Sequence, residues 1–115
     1  MKKFYLLLAL TAPLLISCMP TSTLYYWGNY EDASYKHYKQ GTDDAKAELM
    51  ATYEKMISKQ IGTRKTIAPG ICAEYGYMLI QSGKREEGIN YLKKEIELYP
   101  ESRVFIERII KQYEK

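Results

Sequence analysis

The stretch from Ile71 to Ser102, ICAEYGYMLIQSGKREEGINYLKKEIELYPES, leaves few ways to fold. Cys72, Tyr75, Leu79 and Ile80 recur at the spacing of one helix face, and Gly83 supplies an end signal. Ile89, Leu92, Ile96 and Tyr99 repeat the pattern, Glu86 and Glu87 favour the positive end of that helix dipole, and Pro100 forbids continuation. Helix, glycine turn, helix, proline is an αα-hairpin. Gly76 sits inside the first stripe, where a glycine costs about 1 kcal/mol against alanine. That cost is explained if a second backbone must come close at Gly76.

Against the 34-residue tetratricopeptide pattern W-x2-L-G-x2-Y, A-x3-F, P, the corresponding positions are Cys72, Tyr75, Gly76, Leu79, Gly88, Leu92 and Pro100. Gly76 and Pro100 match by identity and the others mostly by size or polarity. The unit resembles one tetratricopeptide repeat, which implies a stacked helical hairpin used for protein contacts. Cys72 in place of a large residue, Gly88 in place of alanine and Glu95 in place of a small residue depart from the pattern. They argue against a standard concave peptide groove.

The chain opens with Lys2 and Lys3, followed by an apolar run from Phe4 to Ile16 that is shorter than the roughly 20 residues of a membrane span. A charged start, a short apolar core and a small residue before the cut describe a secretory signal, here residues 1–17. Leu15-Ile16-Ser17-Cys18 resembles the bacterial lipobox, which implies cleavage before Cys18 and lipid on its thiol and new amino end. Residues 18–29 then form a lipidated tether and aromatic segment, ahead of a helical domain over residues 30–115. Met19 rather than Asp after the lipidated cysteine implies, by resemblance to the enterobacterial sorting rule, the periplasmic face of the outer membrane.

Removing Lys2 and Lys3 leaves 15 bases against 14 acids, a net of +1 rather than +3. No basic stripe interleaved with aromatics remains, and nucleic acid is excluded as a partner. With Cys18 committed to lipid, Cys72 is alone and reads as a small buried apolar residue. His37 lies on a distant, polar-looking face, and Glu74, Glu86, Glu87 and Glu95 read as ordinary helix surface rather than a poised pair. The residues call for no enzyme chemistry, cofactor or metal.

Leu24 to Tyr30, LYYWGNY, is the densest aromatic cluster and holds the single Trp. Tyr25, Tyr26, Trp27 and Tyr30 have two readings. They form a stacking platform for a sugar or a partner's side chain, or they cap the open end of the helical stack. Asn29 is expected to cap a helix that carries Tyr30, Ala33, Tyr35 and Tyr38 and ends at Gly41. Thr42 caps the next, whose stripe of Leu49, Tyr53, Met56 and Ile57 runs until Gly62. This second hairpin resembles a degenerate repeat, since Gly41 and Gly83 stand 42 positions apart. A loop from Gly62 to Gly70 absorbs the extra length, with Arg64 and Lys65 read as solvated charges or as an anion or lipid-headgroup contact. Ser102 is expected to cap a last helix with Phe105, Ile106, Ile109, Ile110 and Tyr113 on a wide apolar face. Ile109 and Ile110 there are candidate partner or self-association residues. The fold class is all-α, a short tetratricopeptide-like stack of about five helices. A domain of roughly 98 mature residues buries only about 60–65% of its chain surface.

The lipobox, the tether, YYWGNY, PGICAEYGY and a terminal LYPES together resemble a family of small bacterial lipoproteins catalogued as a domain of unknown function, the 4810 type. In that family the gene often stands beside two other lipoprotein types, one similar to the curli-secretion pore protein. The resemblance implies a subunit of an outer-membrane assembly or export complex and brings no catalytic residues. The leading expectation is therefore a lipid-anchored, non-enzymatic adaptor, with a glycan or small-molecule binder using the aromatic cluster as the second. Cys18→Ala is expected to release the protein from membranes into the soluble fraction; continued retention in fractionated cells would overturn the lipid assignment.

Overall fold

In a computed structural model of the protein, residues 1–3, 5 and 22–115 are described. All of the apolar run of the expected signal peptide but Tyr5, together with Cys18 and the first tether residues, lies outside them. The elements are α1 (Tyr30–Gln40), α2 (Asp43–Ser58), α3 (Ile71–Gln81), α4 (Arg85–Leu98), a single 3₁₀ turn (Pro100–Ser102) and α5 (Arg103–Tyr113). The described residues contain no strand, and the fold is all-α. No helix among them is long and apolar enough to cross a membrane.

Local chemistry sets the joints. Gly41 adopts a left-handed φ of 62° and its N–H donates to the His37 carbonyl, closing α1. Thr42 Oγ1 then accepts the Ala45 N–H at 3.2 Å and starts α2. Gly83, with φ 87°, makes the α3–α4 turn, where Lys84 N–H reaches back to Leu79. Two expected caps differ. Asn29 precedes α1, but φ −100° and ψ 25° belong to a turn from Trp27 to Tyr30, so its carbonyl, not its side chain, engages α1 at Ala33. Ser102 already has helical dihedrals, because the 3₁₀ turn runs straight into α5, and its Oγ donates back to the Tyr99 carbonyl. Further, α2 stops at Ser58, ahead of Gly62. Gly62 instead admits a close approach: a Cβ there would stand 2.3 Å from the Leu24 carbonyl oxygen.

The most extensive packing joins α3 to α4. A Cβ on Gly76 would lie 2.6 Å from the Gly88 carbonyl oxygen, and one on Gly88 would lie 2.4 Å from the Gly76 oxygen. The two glycines face each other across the helix crossing, so Gly88 is the partner that makes Gly76 intelligible rather than a departure from an alanine position. Glu95 corrects a second expectation. It is buried on α4 rather than ordinary surface, and Oε1 accepts the Gly70 N–H at 2.7 Å while Oε2 accepts the Ala73 N–H at 3.3 Å. Gly70 has no side chain to cap α3, and the α4 carboxylate occupies that place.

Two apolar clusters follow. One gathers Leu49, Tyr53 and Met56 of α2 with Ile71, Cys72 and Leu79 of α3, and takes in Ile67 and Ala68 from the intervening loop. The other joins Ile80, Leu92 and Ile96 to Ile106 and Ile110 of α5. Ile110 is therefore a core residue, and Ile109 is half-buried beside it. The face α5 turns outward carries Val104 and Phe105, each 66% exposed.

Because each missing Cβ makes room for a carbonyl oxygen of the opposite helix, Gly76→Ala or Gly88→Ala must push α3 and α4 apart. Each is expected to destabilise the domain by about 1–3 kcal/mol, a fall in Tm of roughly 5–20 °C. Thermal unfolding followed by circular dichroism checks this, and unchanged midpoints would show that the helices do not depend on this crossing.

Candidate interaction site: an aromatic ladder held by two carboxylates

Alternating helical faces bring one aromatic ring after another into line. From the N-terminal segment, Tyr25 and Trp27 meet edge to face with centroids 6.5 Å apart, and Trp27 lies 5.5 Å from Tyr30 at the start of α1. Tyr30 contacts Tyr53 of α2 at 5.9 Å, Tyr53 contacts Tyr75 of α3 at 6.0 Å, and Tyr75 meets Tyr91 of α4 at 4.8 Å. The tilted and edge-to-face geometries are those that ring quadrupoles favour. The ladder thus runs from Tyr25, in the segment that precedes α1, across four helices.

Its hydroxyls converge on acids. Tyr30 and Tyr53 both donate to Glu74 Oε2, at 2.9 and 2.7 Å, and Tyr75 donates to Glu54 Oε1 at 2.8 Å. Glu74 is consequently not a free surface carboxylate but the acceptor that fixes α1 and α2 to α3. Burial, reinforced by the bond to Glu74, pushes the Tyr30 phenol up to about 12, and the same causes raise Tyr53 further. Burial followed by the Glu54 bond also raises Tyr75.

The expected site residues divide. Tyr25 and Tyr26 are half-buried and pack against the first core cluster, whereas Trp27 is 41% exposed. Trp27, Gly28, Tyr30, Glu31 and Ser34 line a shallow cavity of about 360 Å³, and Tyr26, Gly28 and Asn29 line another of about 320 Å³ against Glu48, Thr52 and Lys55 of α2. Ile109 and Ile110 stand on the other terminal helix, outside this arrangement. Tyr35 and Tyr38 project from α1, the former beneath Lys39 at 5.4 Å. Burial, then the neighbouring Glu95, holds the Cys72 thiol up at about 11 despite the opposing Lys94, so it stays a neutral thiol near pH 7. His37 is half-buried against Tyr38, with Nδ1 shielded from water and unpartnered among the described residues. No group of three His, Cys, Asp or Glu side chains among the described residues comes together as a metal site.

Sequence reasoning missed Glu74, Glu54 and Glu95 as structural acceptors. Their partners lie 44, 21 and 25 positions away, well beyond any helical periodicity. The only available signal was the excess of tyrosines on stripes that would otherwise hold leucine.

The phenol bonds set an alkaline limit. Unfolded tyrosines ionise near pH 10, while Tyr30 in the fold holds its proton until about pH 12. The stability that Tyr30 contributes is therefore present below pH 10 and is lost as pH rises from there through about 12. Glu74→Gln is expected to move the Tyr30 transition toward 10 and to lower stability by about 1–3 kcal/mol. Ultraviolet titration of tyrosinate alongside chemical unfolding checks both, and an unchanged titration curve would separate Glu74 from the phenols. None of the curated proteins or solved structures matches the chain. The family model described as Domain of unknown function (DUF4810) matches residues 24–109, from the start of the aromatic segment into α5, and the chain belongs to that family.

Proposed function

We propose that the protein is a lipid-anchored, non-enzymatic adaptor or structural subunit of a cell-envelope assembly or export complex. It would sit at the periplasmic face of the outer membrane and dock on other envelope lipoproteins, among them one similar to the curli-secretion pore protein. The observation that carries this reading is where apolar surface remains exposed. Tyr35 and Tyr38 on α1 and Val104 and Phe105 on α5 are each at least 65% exposed, at the two terminal helices of the stack. Between them Glu74 through Oε2, Glu54 through Oε1 and Glu95 through both oxygens accept from phenols and amides, which favours a rigid spacer over a reactive cleft. Val104 and Phe105 replace Ile109 and Ile110 as the residues of α5 offered to a partner, whether another lipoprotein or a second copy of the chain.

A second reading, a glycan binder, has Trp27 in its favour, since its exposed ring borders the cavity with Glu31 and Ser34. Tyr25 and Tyr26 are half-buried and leave little of their faces for a sugar. A Trp27 emission change on adding cell-wall saccharides would support that alternative.

A photo-crosslinking side chain at position 105 or 38 in intact cells is expected to capture another envelope lipoprotein, and Phe105→Glu to reduce capture at least about tenfold, the usual loss when an interface anchor of 2 kcal/mol or more is removed. Recovery of uncrosslinked monomer alone from both positions would sink the adaptor. Crosslinks confined to copies of this chain would make it a self-associating unit.

A further inference from the structure

Residues 55–73 carry Lys55, Lys59, Arg64 and Lys65 and no carboxylate, the next being Glu74. Three of those four cations, Lys59, Arg64 and Lys65, lie on the loop between α2 and α3. Thr63 N–H donates to the Thr23 carbonyl at 3.1 Å and Arg64 N–H to the Leu24 carbonyl at 3.0 Å, so the α2–α3 loop is clamped on the segment that enters the fold. Gly62 makes the clamp possible, since any side chain there would strike Leu24 and Tyr25 backbone. Behind it Ile67 and Ala68 are buried, and the Tyr99 hydroxyl donates to the Ile67 carbonyl at 2.6 Å. In front, Lys59, Gln60, Ile61, Arg64 and Lys65 are exposed. Ile61 is 73% exposed and Leu24 55%. The ion pairs among the described residues join Lys36 to Glu48, Lys84 to Glu87 and Arg103 to Glu107, leaving Lys59, Arg64 and Lys65 without an acidic partner.

Two exposed aliphatic side chains on a clamp that also carries three cations without an acidic partner, Arg64 lying over the Tyr25 ring at 6.0 Å, fit the boundary between anionic headgroups and acyl chains. We infer that this clamp is a membrane contact of its own, with Lys59, Arg64 and Lys65 on the phosphates of anionic phospholipids and Ile61 and Leu24 entering the interface. The inference rests on the lipid-anchored reading for its geometry. Leu24 stands six positions after Cys18, at most about 20 Å of extended chain, so an anchor on Cys18 would hold the clamp against the bilayer at high effective concentration. One acyl attachment and one basic patch are the two signals that make peripheral anchoring stable. The clamp would also fix which way the stack faces, since a lipid on a free tether alone imposes no orientation.

The test uses the lipidated protein in nanodiscs, with an environment-sensitive fluorophore on Ile61→Cys. Cys18 is then blocked by lipid, and Cys72 is buried. In discs containing phosphatidylglycerol the fluorophore is expected to shift to the blue and to be quenched by spin-labelled lipid. Phosphatidylcholine discs should give neither response. The triple change Lys59, Arg64 and Lys65→Gln should abolish the response, while Lys39, Lys93 and Lys111→Gln, an equal change of charge elsewhere, should leave it. A water-exposed signal in every lipid would overturn the proposal, as would a shift that appears only on adding an acidic protein partner. Incorporation into discs reports the Cys18 anchor separately. Should the chain not incorporate, the same fluorophore read against added phosphatidylglycerol vesicles still decides the clamp, and an unshifted signal there would overturn it.

Discussion

The crossing of α3 and α4 at Gly76 and Gly88 is the constraint from which the rest of the molecule follows. With no Cβ on either residue, each helix sets a backbone carbonyl where the other would carry a side chain. That proximity brings Glu95 of α4 within reach of the Gly70 and Ala73 N–H groups, so the second helix of the hairpin caps the first. It also places Tyr91 against the Gly76 surface, where its ring completes the ladder on Tyr75. A hairpin with alanine at either position would separate the helices and weaken the cap and the ring contact together. The outer helices then attach to a preformed centre: α2 through Tyr53 on Glu74, α1 through Tyr30 on the same oxygen, and α5 through Ile106 and Ile110.

How much of this could be read from sequence depends on the range of the interaction concerned. Helix faces, the turns at Gly41 and Gly83 and the stop at Pro100 come from patterns within a dozen residues, and they are where expected. Gly76 was legible as a close approach because a glycine inside a helical stripe demands a reason, but nothing local marked Gly88 as its partner. Asn29 and Ser102 have the right residue type and the wrong backbone, since a preceding turn in each case had already fixed dihedrals that a side-chain cap does not tolerate. Glu74 and Glu95 were the hardest. A glutamate on an amphipathic helix looks like solvent-facing surface until the donors arrive from other helices. The outward face of α5 was displaced by about a third of a turn, because a run of five apolar positions does not say which edge α4 will cover.

A wider regularity links the acids that bridge helices to the surface charges. All three ion pairs among the described residues join exposed or partly exposed side chains, and such pairs contribute little. The carboxylates that tie one helix to another, buried Glu95 and exposed Glu54 and Glu74, accept from phenol hydroxyls and backbone amides, which are neutral donors. Internal cohesion therefore does not use the lysines and arginines, and it is insensitive to salt over the range that screens surface charge. A chain with nearly balanced charge could pair its cations with its own acids. Here Glu95 is buried and Glu74, though exposed, is taken up by two phenols, and the stretch between Lys55 and Ala73 holds four positive charges and no acid of its own. Acids bonded to neutral donors and loop cations without acids are two sides of one allocation, and it leaves the positive charge of Lys59, Arg64 and Lys65 on the surface of the domain.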